Sequence, residues 1–203
     1  MDVRSPAAAA WSPDGRRLAF QALTDGHLSS WWSLYVADAD GSGLVNLSAV
    51  LPPPAGQGRD GDPDWSPDGR RLAFTVEEGG RERVYVADIA AMSLRRLTSN
   101  AERSDGHPAW SPDGRRLAFS GRHPVGTSVV TDVYVIGVDG TGERNLTQNP
   151  AEGSATMPAW SGDGQRIAFV DGEGQIQLMR SDGTPVTRLT DTGPNESPSW
   201  SWR

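Results

Sequence analysis

Ten letters recur four times along this chain, and they constrain its fold more than any other feature. Trp11-Ser-Pro-Asp-Gly-Arg-Arg-Leu-Ala-Phe20 is repeated letter for letter at Trp65–Phe74 and Trp110–Phe119. It returns as Trp160-Ser-Gly-Asp-Gly-Gln-Arg-Ile-Ala-Phe169, and a fifth start, Ser197-Pro-Ser-Trp200-Ser-Trp202, follows. The tryptophans are 54, 45, 50 and 40 residues apart. A period of this size, without helical periodicity, is that of a four-stranded propeller blade.

Each unit reads as four strands. Strand A ends at the Trp. Ser-Pro-Asp-Gly is a tight turn in which Pro presets φ, Asp bonds locally and Gly accepts a left-handed φ. Strand B is Leu18-Ala19-Phe20 and its copies. Strand C is Leu34–Ala37, Val84–Ala87, Val133–Ile136 and Ile176–Met179. After a turn such as Asp40-Gly41 or Asp139-Gly140, strand D is Asn46–Ser48, Arg96–Thr98, Asn145–Thr147 and Arg188–Thr190. The fold expected is all-β: a β-propeller or an open propeller arc of four four-stranded antiparallel blades plus an extra C-terminal strand. One domain over 1–203 is expected, with blades at about 7–48, 62–98, 107–147 and 157–190 and an orphan strand at 196–202.

Bulk composition agrees and excludes several classes. Apolar residues are 36% of the chain, below the usual ~45–50%, as suits a core divided into thin layers. Zero cysteines exclude disulfides and thiolate zinc sites. A net charge of −7 argues against a nucleic-acid surface. No run of 18 apolar residues is present, so no membrane span is expected. The first residues lack the basic-then-apolar pattern of a secretory signal.

The order Pro-x-Trp-Ser-Pro-Asp-Gly-Arg-x-Leu-Ala-Phe, a Tyr-Val strand, Asp-Gly and Leu-Thr resembles the TolB-like β-propeller repeat family over nearly the whole chain. The first unit departs at Ala9-Ala10, the second at Ile89–Met92 and the fourth at Gly162. The resemblance implies a non-catalytic scaffold that binds a protein or peptide. TolB-type proteins act in the bacterial periplasm on a peptidoglycan-associated lipoprotein, so a periplasmic or extracytoplasmic location is implied. Family propellers have six or more blades. Four units and one orphan strand therefore point to an open arc, a piece of a larger propeller, or a homo-oligomer completing the ring.

The residues on the loops decide what such a scaffold could hold. The D-to-A loops are expected at the channel mouth, with the B–C loops. They carry Asp60, Asp62, Asp64, Asp105, His107, Glu152, Asn195 and Glu196. Crowded carboxylates there would attract a basic peptide or a cation. Asp60-Gly-Asp62-Pro-Asp64 has the first spacings of a calcium loop, but Trp65 stands where Gly is needed and Arg71 where Glu is needed. Calcium at the mouth is thus a weak expectation, and no other cofactor is expected. Trp31 and Trp32, in the first B–C loop, suit either a partner anchor or a cover for blade 1.

The recurring turn aspartates, Asp14, Asp68, Asp113 and Asp163, are read as turn chemistry. Gly-x-Ser-x-Gly, His-Glu-x-x-His and Walker patterns are absent, so no enzyme is expected. Two other readings compete: an accessory propeller of a prolyl-oligopeptidase-like hydrolase system, and a self-associating repeat array. A metal-dependent lyase, with only His27, His107 and His123 to draw on, is remote.

Overall fold

The computed structural model describes residues 3–24, 32–55, 59–148, 153–184, 186–192 and 198–199. The chain divides into two compact units, Met1–Ser99 and Asn100–Arg203. Each holds two four-stranded antiparallel blades whose strands follow chain order. Unit 1 contains blade 1, β1 (Val3–Trp11), β2 (Arg17–Thr24), β3 (Trp32–Asp38) and β4 (Val45–Asn46), and the one-turn helix α1 (Leu47–Val50). Blade 2 follows with β5 (Asp60–Trp65), β6 (Arg71–Glu78), β7 (Arg81–Asp88) and β8 (Ser93–Arg96). Unit 2 contains blade 3, β9 (Ser104–Trp110), β10 (Arg116–Val125), β11 (Ser128–Gly137) and β12 (Arg144–Asn145). Blade 4 is β13 (Ala155–Trp160), β14 (Arg166–Asp171), β15 (Ile176–Arg180) and β16 (Val186–Arg188). The orphan strand expected at 196–202 lies outside the described residues, apart from Pro198 and Ser199, which carry no strand.

The A–B turn owes its shape to Ser and Asp. Ser12 Oγ donates to Asp14 Oδ1 at 2.7 Å and accepts the Arg17 N–H at 2.9 Å. Asp14 Oδ1 also accepts the Arg16 N–H at 3.1 Å, and the Gly15 N–H closes on Ser12 O at 2.8 Å. Gly15 has φ 67°, where an L side chain would be strained. Blade 4 makes the same bonds through Ser161 and Asp163 although Gly162 replaces Pro. Pro only presets the turn; the side chains hold it.

Strand D ends earlier than the Leu-Thr pattern suggests. In place of an Asn46–Ser48 strand, β4 stops at Asn46, whose side chain caps α1 by accepting the Ala49 N–H at 3.1 Å. β8, β12 and β16 likewise end before Leu97, Leu146 and Leu189. The residue after each of these leucines, and after Leu47, caps strand C with its hydroxyl instead. Ser48, Thr98, Thr147 and Thr190 accept the N–H of Leu34, Val84, Val133 and Ile176 at 2.8, 3.1, 3.1 and 2.9 Å. These hydroxyls satisfy strand-C donors where the ladder has run out.

Apolar layers fill the space between blades within each unit. In unit 1, Ala19, Leu34 and Val36 of blade 1 pack with Trp65, Leu72 and Phe74 of blade 2. In unit 2, Ala118, Val133 and Val135 of blade 3 pack with Trp160, Ile167 and Phe169 of blade 4.

Candidate functional site

Strand A begins earlier than its composition suggests, and this relocates most of the expected mouth residues. Asp60, Asp62 and Asp64 lie inside β5, and Asp105 and His107 inside β9, rather than on loops. A bulge makes this possible. The residue three before each repeat Trp is left-handed: Ala8 (φ 40°), Asp62 (50°), His107 (50°) and Met157 (54°). Pairing with strand B shifts register at each of these places. One extra residue is absorbed, so in blades 2, 3 and 4 the strand runs through the following Pro63, Pro108 or Pro158 instead of ending there. Asp and His tolerate this conformation better than Met. The bulge amide is caught by the preceding blade. Gln21 Oε1 accepts the Asp62 N–H at 3.3 Å, and Ser120 Oγ accepts that of Met157 at 3.0 Å.

The expected mouth residues are therefore not equivalent. Asp60 and Asp105 are fully buried, whereas Asp62 and His107 are half-buried. Trp32 opens β3 half-buried, with the Arg59 guanidinium 5.6 Å from its ring. Trp31, Glu152 and Glu196 lie outside the described residues. Among the described residues no three His, Asp or Glu side chains converge as a side-chain metal cage would require.

Blade 3 holds a polar network that the sequence left unseen. Arg103, just before β9, is 2% exposed. Its Nε donates to Asp105 Oδ1 and its Nη1 to Glu143 Oε1 at 2.8 Å. The guanidinium lies 4.0 Å from the Tyr134 ring and 5.1 Å from that of Phe119. Burial alone would disfavour its charge, but the two carboxylates outweigh burial and hold Arg103 protonated above the ordinary arginine range. Gly121 leaves the room: a Cβ there would stand 2.6 Å from Arg103 Cδ and 2.7 Å from Tyr134 Cε2. Beside it, buried Asp132 accepts from Thr147 Oγ1 at 2.7 Å and Asn145 Nδ2 at 2.8 Å, with His123 Nε2 at 3.7 Å. These groups tie all four strands of blade 3 together. Nothing local to Arg103 marks this role, because Glu143 is 40 residues away.

His123 lies in β10, not on a B–C loop, because the hairpin is longer than expected. β9 pairs with β10 only as far as Arg122. The pairs His123–Val130, Pro124–Val129 and Val125–Ser128 continue alone as a two-stranded ribbon. Val129 on this ribbon is 55% exposed, whereas Val130 is buried. At its base a bridge joins Thr131 to Ser154, next to β13. The ribbon stands at the blade end where strand A starts and strand D finishes.

Among the described residues no helix is long and apolar enough to cross a membrane. The TolB beta propeller domain model matches residues 4–104 and 62–203. A Tol-Pal system protein TolB from Xylella fastidiosa (strain M12) is 34% identical over 84 residues, which is 41% of this chain and 18% of that protein. TolB from Acinetobacter baumannii superposes with a TM-score of 0.71 at 22% identity, over 97% of this chain and 46% of that one. An oligogalacturonate lyase in complex with manganese superposes at 0.67 and 18% identity, over 91% of this chain and 52% of that one. At such identities the structural likenesses speak for the fold, which scaffolds and enzymes share. The chain spans about a fifth of the Xylella relative and about half of the two solved structures. It belongs to the TolB beta propeller domain family.

Proposed function

We propose that the chain is a non-catalytic propeller scaffold that binds a protein or peptide at the blade ends carrying the B–C hairpins, in an extracytoplasmic compartment. The observation that carries this reading is the blade 3 ribbon. It projects past the rest of its sheet, is held by main-chain pairing to its tip, and presents Val129 to solvent. A rigid protrusion loses little conformational freedom when a partner covers it. Half-buried Trp32, with Arg59 beside its ring, offers an aromatic anchor of the kind that dominates interface energetics. The relative named as a Tol-Pal system protein points to the peptidoglycan-associated lipoprotein as the first partner to try. The non-catalytic reading draws support from the bonds already made by the polar groups. Asp105 is committed to Arg103, and Asp132 to Thr147 and Asn145.

The test is titration calorimetry of the chain with that lipoprotein, repeated with Val129→Asp. An exposed substitution leaves the fold intact, which circular dichroism checks. A loss of affinity of at least about tenfold, equivalent to about 1.4 kcal/mol, is expected. Equal affinity of the two proteins removes the ribbon from the binding site. No heat with either removes the lipoprotein as partner.

A further inference from the structure

Both blade-to-blade joints inside the units are built from the same parts. The leading blade supplies an apolar face and an arginine; the following blade supplies its repeat Trp. The Arg17 guanidinium lies 4.5 Å from the Trp65 ring and its Nη2 donates to Gly69 O at 2.8 Å, while Trp65 Nε1 donates to Ala10 O at 3.2 Å. Arg116 lies 4.8 Å from the Trp160 ring. Both joints are sealed: Leu34, Val133, Leu72, Phe74 and Ile167 are each 0% exposed.

Blades 1 and 4 carry the two halves of this joint unsealed. On blade 1, Trp11 is 57% exposed, against 4% for Trp65 and 3% for Trp160. Leu18 and Phe20 beside it are only half-buried, although the matching Leu72 and Phe74 are fully covered. On blade 4, Arg166 is exposed where Arg17 and Arg116 are half-buried. Ile176 and Leu178 stand half-buried at the positions of Leu34 and Val36. An open cavity of about 240 Å³ beside them is lined by Arg166, Leu178, Met179, Arg180 and Thr187. Among the described residues, one surface is thus a Trp plate without a stacked guanidinium, and the other a guanidinium and apolar floor without a stacked Trp.

We propose that the Trp11 face of one copy of this chain seats on the Arg166 face of a second copy, head to tail. Arg166 would stack on the Trp11 indole and donate to the Gly15 carbonyl, as Arg17 does to Gly69. Continuity with the internal joints selects this occupant: the two faces differ from each other and match the two sides of the joint found inside each unit. Such a contact is heterologous, so it closes into a ring or extends as an array. The inference is independent of lipoprotein binding, which depends on Val129.

Light scattering after size exclusion, over a range of loading concentrations, tests it on the full chain, Trp11→Ala and Arg166→Glu. The native chain is expected at twice its 21.7 kDa mass or a higher multiple, and both variants at 21.7 kDa. Circular dichroism confirms that the variants are folded, as expected for exposed positions. A native chain that stays at 21.7 kDa at every concentration overturns the proposal. So does an oligomer that both folded variants preserve.

Discussion

Gly121 shows how one missing carbon can set the geometry of a whole blade. The Arg103 side chain crosses blade 3 over the space that a Cβ would fill, and the Tyr134 ring borders the same space. Gly121→Ala would push Arg103 off its carboxylates while leaving Asp105 buried. We expect a loss of about 1–3 kcal/mol, read from urea denaturation. A loss below about 0.5 kcal/mol would show that the side chains simply slide aside. Nothing local marks the need for glycine here, because the side chains that need its space come from positions far along the chain. The αL residues Asp62 and His107 were hidden for a related reason. Asp-Gly-Asp-Pro and Asp-Gly-His-Pro carry the composition of turns, and only pairing with strand B turns them into bulged strand.

Among the elements, the A–B turn was the most legible, since its letters and its bonds coincide. The Ser12 hydroxyl and the Arg16 N–H hold the Asp14 carboxyl below the usual range, and Ser161 and the Gln165 N–H do the same for Asp163. Carboxyls lowered in the folded state favour folding above their unfolded pKa of about 3.9. That contribution is lost as pH falls through the lower folded value. Thermal unfolding should therefore be insensitive to these turns between pH 5 and 7 and weaken below about pH 4. Replacing both residues, Asp14→Asn with Asp163→Asn, should flatten this acid limb; an unchanged limb would assign it to other carboxyls. Strand D was misread by two or three residues because Leu-Thr looks like strand. In blades 1 to 3 the leucine buries, in blade 4 Leu189 stays exposed, and in all four the Ser or Thr after it caps; a capping hydroxyl leaves no trace in hydrophobic periodicity.

For the molecule as a whole, the blade count, the strand order and the family were readable from the repeat. The division into two units was not, since nothing in the sequence between Ser99 and Asn100 differs in kind from other connections. Repeat arrays are stabilised by nearest-neighbour interfaces. Arg17 and Arg116 serve equivalent joints in different units. Each change to Ala should cost about 0.5–2 kcal/mol through the lost cation–π contact. The double variant should lose the sum to within about 0.5 kcal/mol, as independent sites do. A larger discrepancy in denaturant unfolding would mean that the two joints are energetically coupled.

The self-contained A–B turn also bears on how such a chain could arise. Every bond that shapes it runs between residues no more than five apart. A duplicated gene segment would therefore carry its own folding instruction and need no co-adapted partner elsewhere. The Gly162 unit shows that even its proline can drift without loss of those bonds. Meanwhile the distances between repeat tryptophans vary from 40 to 54 residues. Duplication can thus lengthen the array while selection reshapes the connecting segments, and lineages of this family can change partners faster than they change architecture.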